Sequence, residues 1–158
     1  MELLPISKVS AVEILDGTEI FPTIKGGEPE KVTIGQVRDY IGSSIFNRIA
    51  GTPIGGFKVV RDMGDGTTAA LASCDDTDHA GLILGVTLHA ADADAALRIM
   101  RQGEIVDTSM QLTPGPLFLG LNGDIVSLPS VSGVLVLIGN AVSSSAVVIN
   151  VQLPIMRG

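Results

Sequence analysis

Two histidines, one cysteine and a cluster of aspartates are the side chains of this 158-residue chain best suited to chemistry. His79 follows Cys74, Asp75, Asp76 and Asp78 within a single short stretch. Hard cations take carboxylate ligands, so an Asp/Asp/Asp/His site is the first idea to test. The run Asp75-Asp76-Thr77-Asp78 lacks the glycine and the terminal glutamate of a calcium loop, and reads instead as a solvated acidic loop without a metal. Cys74 and His79 supply a thiol and a base, but neighbouring positions of one loop rarely align such a pair, and no oxyanion-binding pattern accompanies them. Cys74 reads as a structural cysteine. As the only cysteine it can form no intrachain disulfide and no cysteine-based metal site. His89, after an apolar run, reads as a surface or strand-end histidine.

The remaining polar residues add little. Gly51-x-x-x-Gly55-Gly56 and Gly64-x-Gly66 lack the Lys-Ser/Thr or GxGxxG of phosphate-binding loops. Asp62, Asp65, Glu104 and Asp107 are scattered, and nothing pairs two carboxylates for acid–base work. Lys58, Arg61, Arg98 and Arg101 read as charges that protect strand edges. The expectation is a chain with no catalytic residue, no cofactor and no metal, and therefore not an enzyme.

The elements that carry these residues follow from composition and turns. Hydrophobic residues make up 46% of the chain but aromatics only 3%, with no Trp and one Tyr. Val, Ile, Leu and Ala must build the core, and they suit pleated sheets and flat subunit interfaces. Charged residues are 17%, below the roughly 25% of typical soluble domains. With a mean hydropathy of +0.45, much apolar surface needs covering, which points to an oligomer. A net charge of −7 without a basic run argues against nucleic acid and anionic membranes as partners. The longest apolar run, residues 134–138, is far too short to cross a bilayer, and the opening MELLPISKV lacks the features of a signal peptide.

The chain divides near Ala50–Gly51 into an arm, residues 1–50, and a β-domain, residues 51–158. In the arm, Asp16-Gly17 signals a turn, residues 19–24 a short strand broken by Pro22, Gly26-Gly27 another turn, and residues 31–33 a second strand. Thr33 and Gln36 form a capping box for one short helix with Ile34, Val37, Tyr40 and Ile41 on one face. Residues 44–50 would add a further short turn. The β-domain holds about eight short strands at the spacing of a small barrel or sandwich. Candidates are residues 57–60, 69–73, 82–88, 96–101, 104–106, 117–119, 125–128, 134–138 and 147–153. Residues 90–96 read as a loop or helical turn. Gly85 suggests a bulge or close backbone approach, and Asn122-Gly123 is the strongest hairpin signal. The expected fold is mainly β, a small β-barrel or sandwich with a short α/β arm.

Two stretches resemble structural proteins of tailed bacteriophages. Leu15-Asp16-Gly17-Thr18-Glu19-Ile20-Phe21-Pro22, then Gly26-Gly27, then Lys31-Val32-Thr33 and the residues up to Ile41, are similar to the opening of phage tail-fibre and head-fibre proteins. Residues 50–60, AGTPIGGFKVV, are similar to the start of phage fibre domains, with Phe57 where those often carry His. Leu84-Gly85-Val86-Thr87, Gly103-Glu104-Ile105, residues 116–123 and Ile138-Gly139-Asn140-Ala141 resemble, in that order, small capsid-cement proteins. The stretch Leu128-Pro129-Ser130-Val131-Ser132-Gly133 departs from the fibre pattern. The resemblance implies a homotrimer on the exterior of the virion, assembled in the host cytoplasm. Its implied partners are the major capsid protein or, in a tail-fibre or baseplate alternative, tail proteins. It implies attachment through Leu15, Asp16, Gly17, Thr18, Glu19, Phe21, Pro22, Val37, Tyr40 and Ile41.

Overall fold

A computed structural model describes residues 20–25, 28–33 and 44–157. The chain divides into two compact units, Met1–Ser43 and Ser44–Gly158. In the first, β1 (Ile20–Lys25) and β2 (Glu28–Thr33) pair antiparallel from Ile20↔Thr33 to Lys25↔Glu28, on either side of the expected Gly26-Gly27 turn. Pro22 does not break β1. It lies opposite Lys31 in a two-stranded ribbon, where every strand is an edge and proline is tolerated. The expected helix with Val37, Tyr40 and Ile41 lies outside the described residues.

The second unit is mainly β, as its composition implies, and of the two expected architectures it contains the barrel. A closed five-stranded barrel runs in the order β3 (Ile45–Ala50), β5 (Thr68–Leu71), β4 (Val59–Asp62), β6 (Ile83–Thr87), β7 (Ala96–Met100). Its only parallel contact is β3 with β5. The segment expected as a turn of the arm, residues 44–50, is thus a barrel strand, and the compact unit begins at Ser44. A five-stranded sheet follows in the order β10 (Ile125–Val126), β9 (Gly115–Leu119), β12 (Leu137–Ala141), β13 (Ala146–Asn150), β8 (Gln102–Val106). A small ladder joins β11 (Gly133–Leu135) to β14 (Ile155–Arg157). The run 134–138, expected as one strand, is therefore divided between two sheets at Val136. The expected final strand 147–153 ends at Asn150, and Leu153 lies in the link to β14.

Two apolar clusters hold this unit. Ala50, Ile54, Val60, Ala69, Leu97 and Ile99 form the smaller cluster. The small side chains of Ala50 and Ala69 face each other where the parallel pair closes the barrel. The larger cluster joins Val59, Ala72, Val86 and Met100 of the barrel wall to Leu117, Leu119, Ile138, Val147 and Ile149 of the sheet. Successive residues of a strand face opposite sides, so Val59 and Val60 serve different clusters, as do Ile99 and Met100.

Strict alternation is broken at two places. The β4–β6 register shifts between Val60 and Arg61, opposite Gly85, so that Ile83 and Val86 both reach the larger cluster. The β9–β12 register shifts between Leu137 and Gly139, and Ile138 and Ala141 both reach it. At each bulge a glycine admits the facing backbone. A Cβ on Gly85 would lie 2.3 Å from the Met100 carbonyl oxygen, and one on Gly139 would lie 2.1 Å from that of Val148. The close approach expected at Gly85 is therefore present. Gly139→Ala and Gly85→Ala are each expected to lower the unfolding free energy by about 1–3 kcal/mol, the usual effect of forcing an extra carbon into packed structure. Gly81→Ala, whose added carbon meets nothing within 4 Å, is the control. Denaturant midpoints measure all three.

Candidate functional site

The loop with the chemically capable residues is built as an internal clasp. Asp76 caps the 3-10 turn Thr77–Leu82, its side chain accepting the Asp78 N–H at 3.0 Å. This turn brings His79 back over Ser73. The Ser73 backbone N–H donates to His79 Nδ1 at 3.2 Å, so Nε2 carries the proton and faces Asp76 Oδ2 at 3.1 Å. Ser73 Oγ bonds Asp75 Oδ1 and accepts the Asn122 N–H at 3.2 Å. The buried Cys74 donates its N–H to the Gly120 carbonyl at 3.0 Å, and its own carbonyl accepts the Val134 N–H at 2.7 Å. Gly133, with φ +81, passes so close that a Cβ would lie 2.2 Å from that same carbonyl oxygen.

Ser, His and Asp thus meet, but not in the wiring of a hydrolase. A nucleophile–base pair needs a hydroxyl or thiol hydrogen-bonded to a free imidazole nitrogen. Here a backbone amide occupies one ring nitrogen and Asp76 the other. Asp75, Asp76 and Asp78 are exposed, as expected of a solvated acidic loop, and through Ser73 and Cys74 the segment also joins the end of β5 to the β9–β10 turn and to β11. Among the described residues no group of three or more His, Cys, Asp or Glu side chains could hold a metal ion.

Other singled-out residues are also structural. His89 Nε2 accepts the Arg98 N–H at 3.2 Å just past the end of β6, in keeping with a strand-end histidine. Asp62 Oδ1 accepts the N–H groups of Gly64 and Gly66 at 2.7 and 2.9 Å, and Oδ2 meets Arg48 Nε at 3.4 Å. Asp65 Oδ1 accepts those of Thr67 and Thr68 at 2.8 and 2.7 Å. Both carboxyls are held below the usual range, Asp62 chiefly by the Gly66 and Gly64 amides and Asp65 by those of Thr68 and Thr67. Three of the four basic residues expected to guard strand edges have other tasks. Arg101 donates to the Ile83 and Leu84 carbonyls, Arg61 to the Asp62 carbonyl, and Lys58 pairs with Asp124.

Of the expected attachment residues, Phe21 and Pro22 lie in β1, opposite Val32 and Lys31. Leu15, Asp16, Gly17, Thr18, Glu19, Val37, Tyr40 and Ile41 lie outside the described residues.

A feature that motif reading misses is an uncovered apolar face. Residues 125–156 contain no Asp, Glu, Lys or Arg. They span β10 to β14 and carry Leu128, Val131 and Leu153, which are 81%, 88% and 82% exposed, with Val142, Val148, Ile155 and Met156 also exposed. On the outward side of the sheet, Val126, Phe118 and Leu137 form a row by register. A groove of about 430 Å³ is lined by Phe118, Leu135, Leu137, Gln152, Leu153, Pro154 and Ile155.

No family model matches the chain, and no curated protein matches it. Among solved structures, the chain is similar to the N base of head fiber gp8.5 in bacteriophage phi29. The likeness has a TM-score of 0.42 and 16% identity, and covers 67% of this chain and 92% of that one.

His79→Ala strands the Ser73 N–H and frees Asp76. It is expected to lower stability by about 1–2 kcal/mol in a denaturant titration, while a chelator changes the midpoint of neither protein. The depressed carboxyls of Asp62 and Asp65 give stability that is fully present above their ordinary value of 3.8 and is lost as the pH falls below it. The double variant Asp62→Asn/Asp65→Asn is expected to lose stability at pH 7 and to show a flatter decline in acid, read from melting temperatures across pH.

Proposed function

We propose that this chain is a non-enzymatic structural protein of a tailed-phage virion, a homotrimeric capsid decoration or head-fibre protein on the particle exterior. Its N-terminal arm attaches it to the major capsid protein. The observation that carries this reading is an uncovered apolar groove, lined by Phe118, Leu137, Leu153 and Ile155 with no charged side chain, on a unit whose Ser73–Asp76–His79 cluster is committed to internal hydrogen bonds. Such a unit offers surface rather than reactive groups. The resemblance of residues 15–41 and 51–158 to phage fibre and cement proteins supports the setting. Symmetric copies, each bound weakly, hold together through avidity.

Particles produced without this protein supply the test. Full-length protein added back should co-sediment with them. Residues 44–158, which contain both apolar clusters, should fold and stay in the supernatant. Equal binding by the fragment would remove the arm's role, and failure of both to bind would remove the virion assignment. Quantitative mass spectrometry of particles should find copies on the order of hundreds, as repeated capsid positions require. A few tens or fewer would place it in the tail or baseplate.

A further inference from the structure

We infer that His79 is a proton-operated latch, closed by its neutral imidazole and opened when the ring takes up a proton. The ring is held at both nitrogens, accepting the N–H of the buried Ser73 at Nδ1 and donating from Nε2 to Asp76. Only a neutral imidazole can do both, because the protonated ring carries a hydrogen on each nitrogen and accepts nothing. Imidazoles change charge between about pH 8 and about pH 5. Protonation here sets Nδ1–H against the Ser73 N–H, two donors separated by 3.2 Å. It also turns the Asp76 contact into an ion pair, but the Asp76 side chain is 47% exposed. An ion pair so open to water contributes less than a buried amide loses when its acceptor is taken away. The amide therefore decides, and the ring swings out.

The other charges among the described residues leave that balance in place. The 3-10 turn that carries His79 packs against β4, β11 and β14. β11 has no charged residue. Arg61 of β4 donates to the Asp62 carbonyl, and the Asp62 carboxylate is bound to Gly64, Gly66 and Arg48. Arg157 of β14 is bound to the Ser130 carbonyl. Within the loop, Asp75 bonds Ser73 Oγ, and Asp78 is exposed, where water and salt screen it. Ser73 and Cys74 also tie the end of β5 to Asn122, Gly120 and Val134. Release of the Ser73 amide therefore loosens the joint between the barrel, the β9–β10 turn and β11. The contribution of Asp62 and Asp65 is lost only below 3.8, outside this range.

Amide hydrogen exchange on the full chain, corrected for the intrinsic rate at each pH, tests the latch. Protection of the Ser73 N–H should fall at least about fivefold from about pH 7.5 to about pH 5.5, against a ceiling of about tenfold per pH unit for one linked proton. The Val60 and Ile99 amides of the barrel should keep their protection. His79→Gln, whose side chain does not titrate, should show the same Ser73 protection at both pH values. A second readout needs no substitution. Imidazole nitrogen shifts of the wild type, followed through the same range, should move together with the Ser73 amide shift. A Ser73 amide that stays protected while the ring protonates, or one whose protection falls equally in His79→Gln, would overturn the latch.

Discussion

The unit from Ser44 depends on strands that are buried on both sides. In β4, Val59 and Val60 are each fully buried, one in each apolar cluster. Ile99 and Met100 of β7 divide in the same way. In a sheet with one buried face, a one-residue slip already carries the whole apolar set to solvent and so fixes the register. A strand with two dry faces adds a second constraint, since any slip also puts a side chain of the wrong volume into packed space. Val59 and Val60 of β4 and Ile99 and Met100 of β7 carry that double constraint in the barrel wall. The two glycine bulges are what let the wall and the sheet share one cluster. Without the phase changes at Gly85 and Gly139, Ile83 and Val86, or Ile138 and Ala141, could not face the same side.

Much of this was legible in the sequence. Period-two patterning and turn residues located most barrel and sheet strands, and Gly85 announced its bulge. Asn122-Gly123 announced the β9–β10 hairpin. Both residues take positive φ, 50 and 77, although the connection spans residues 120–124 rather than two. The failures have physical reasons. Residues 44–50 were expected to turn because Ile45, Phe46 and Ile49 do not alternate but fall at helical spacing. Only distant β5 and β7 decide for a strand, and no local signal reports them. The run 134–138 is uniformly apolar, so nothing in it marks Val136 as the point where the chain changes sheets.

The candidate chemistry was only partly legible, for a related reason. Motif reading placed Asp75–His79 on the surface, where Asp75, Asp76 and Asp78 are indeed exposed, but could not see Asn122, Gly120 and Val134 converge on Ser73 and Cys74 just before it. These residues come from three separate segments. Once they assemble, the residue types best suited to catalysis become donors and acceptors for backbone groups of the buried Ser73 and its neighbours. The imidazole is useful here because it accepts at one nitrogen and donates at the other, linking the Ser73 amide to the Asp76 carboxylate.

An uncovered apolar face is compatible with a soluble β-protein only if sheet edges are not an easier route to association. Closure removes the edges of the barrel outright. In the adjoining sheet, one edge is β10, only two residues long. The other is β8, with Glu104 at its centre. Antiparallel pairing of two β8 strands about that centre would set Glu104 against Glu104, and like charges directly opposed disfavour a strand pair. Edge-to-edge growth is thus resisted at one end by brevity and at the other by charge, while the face formed by β9, β12 and the segment before β14 carries neither obstacle. The distribution of charge along the chain, carboxylates before residue 125 and none in 125–156, thus leaves the outward row of Val126, Phe118 and Leu137 less opposed to contact than the edges of this sheet.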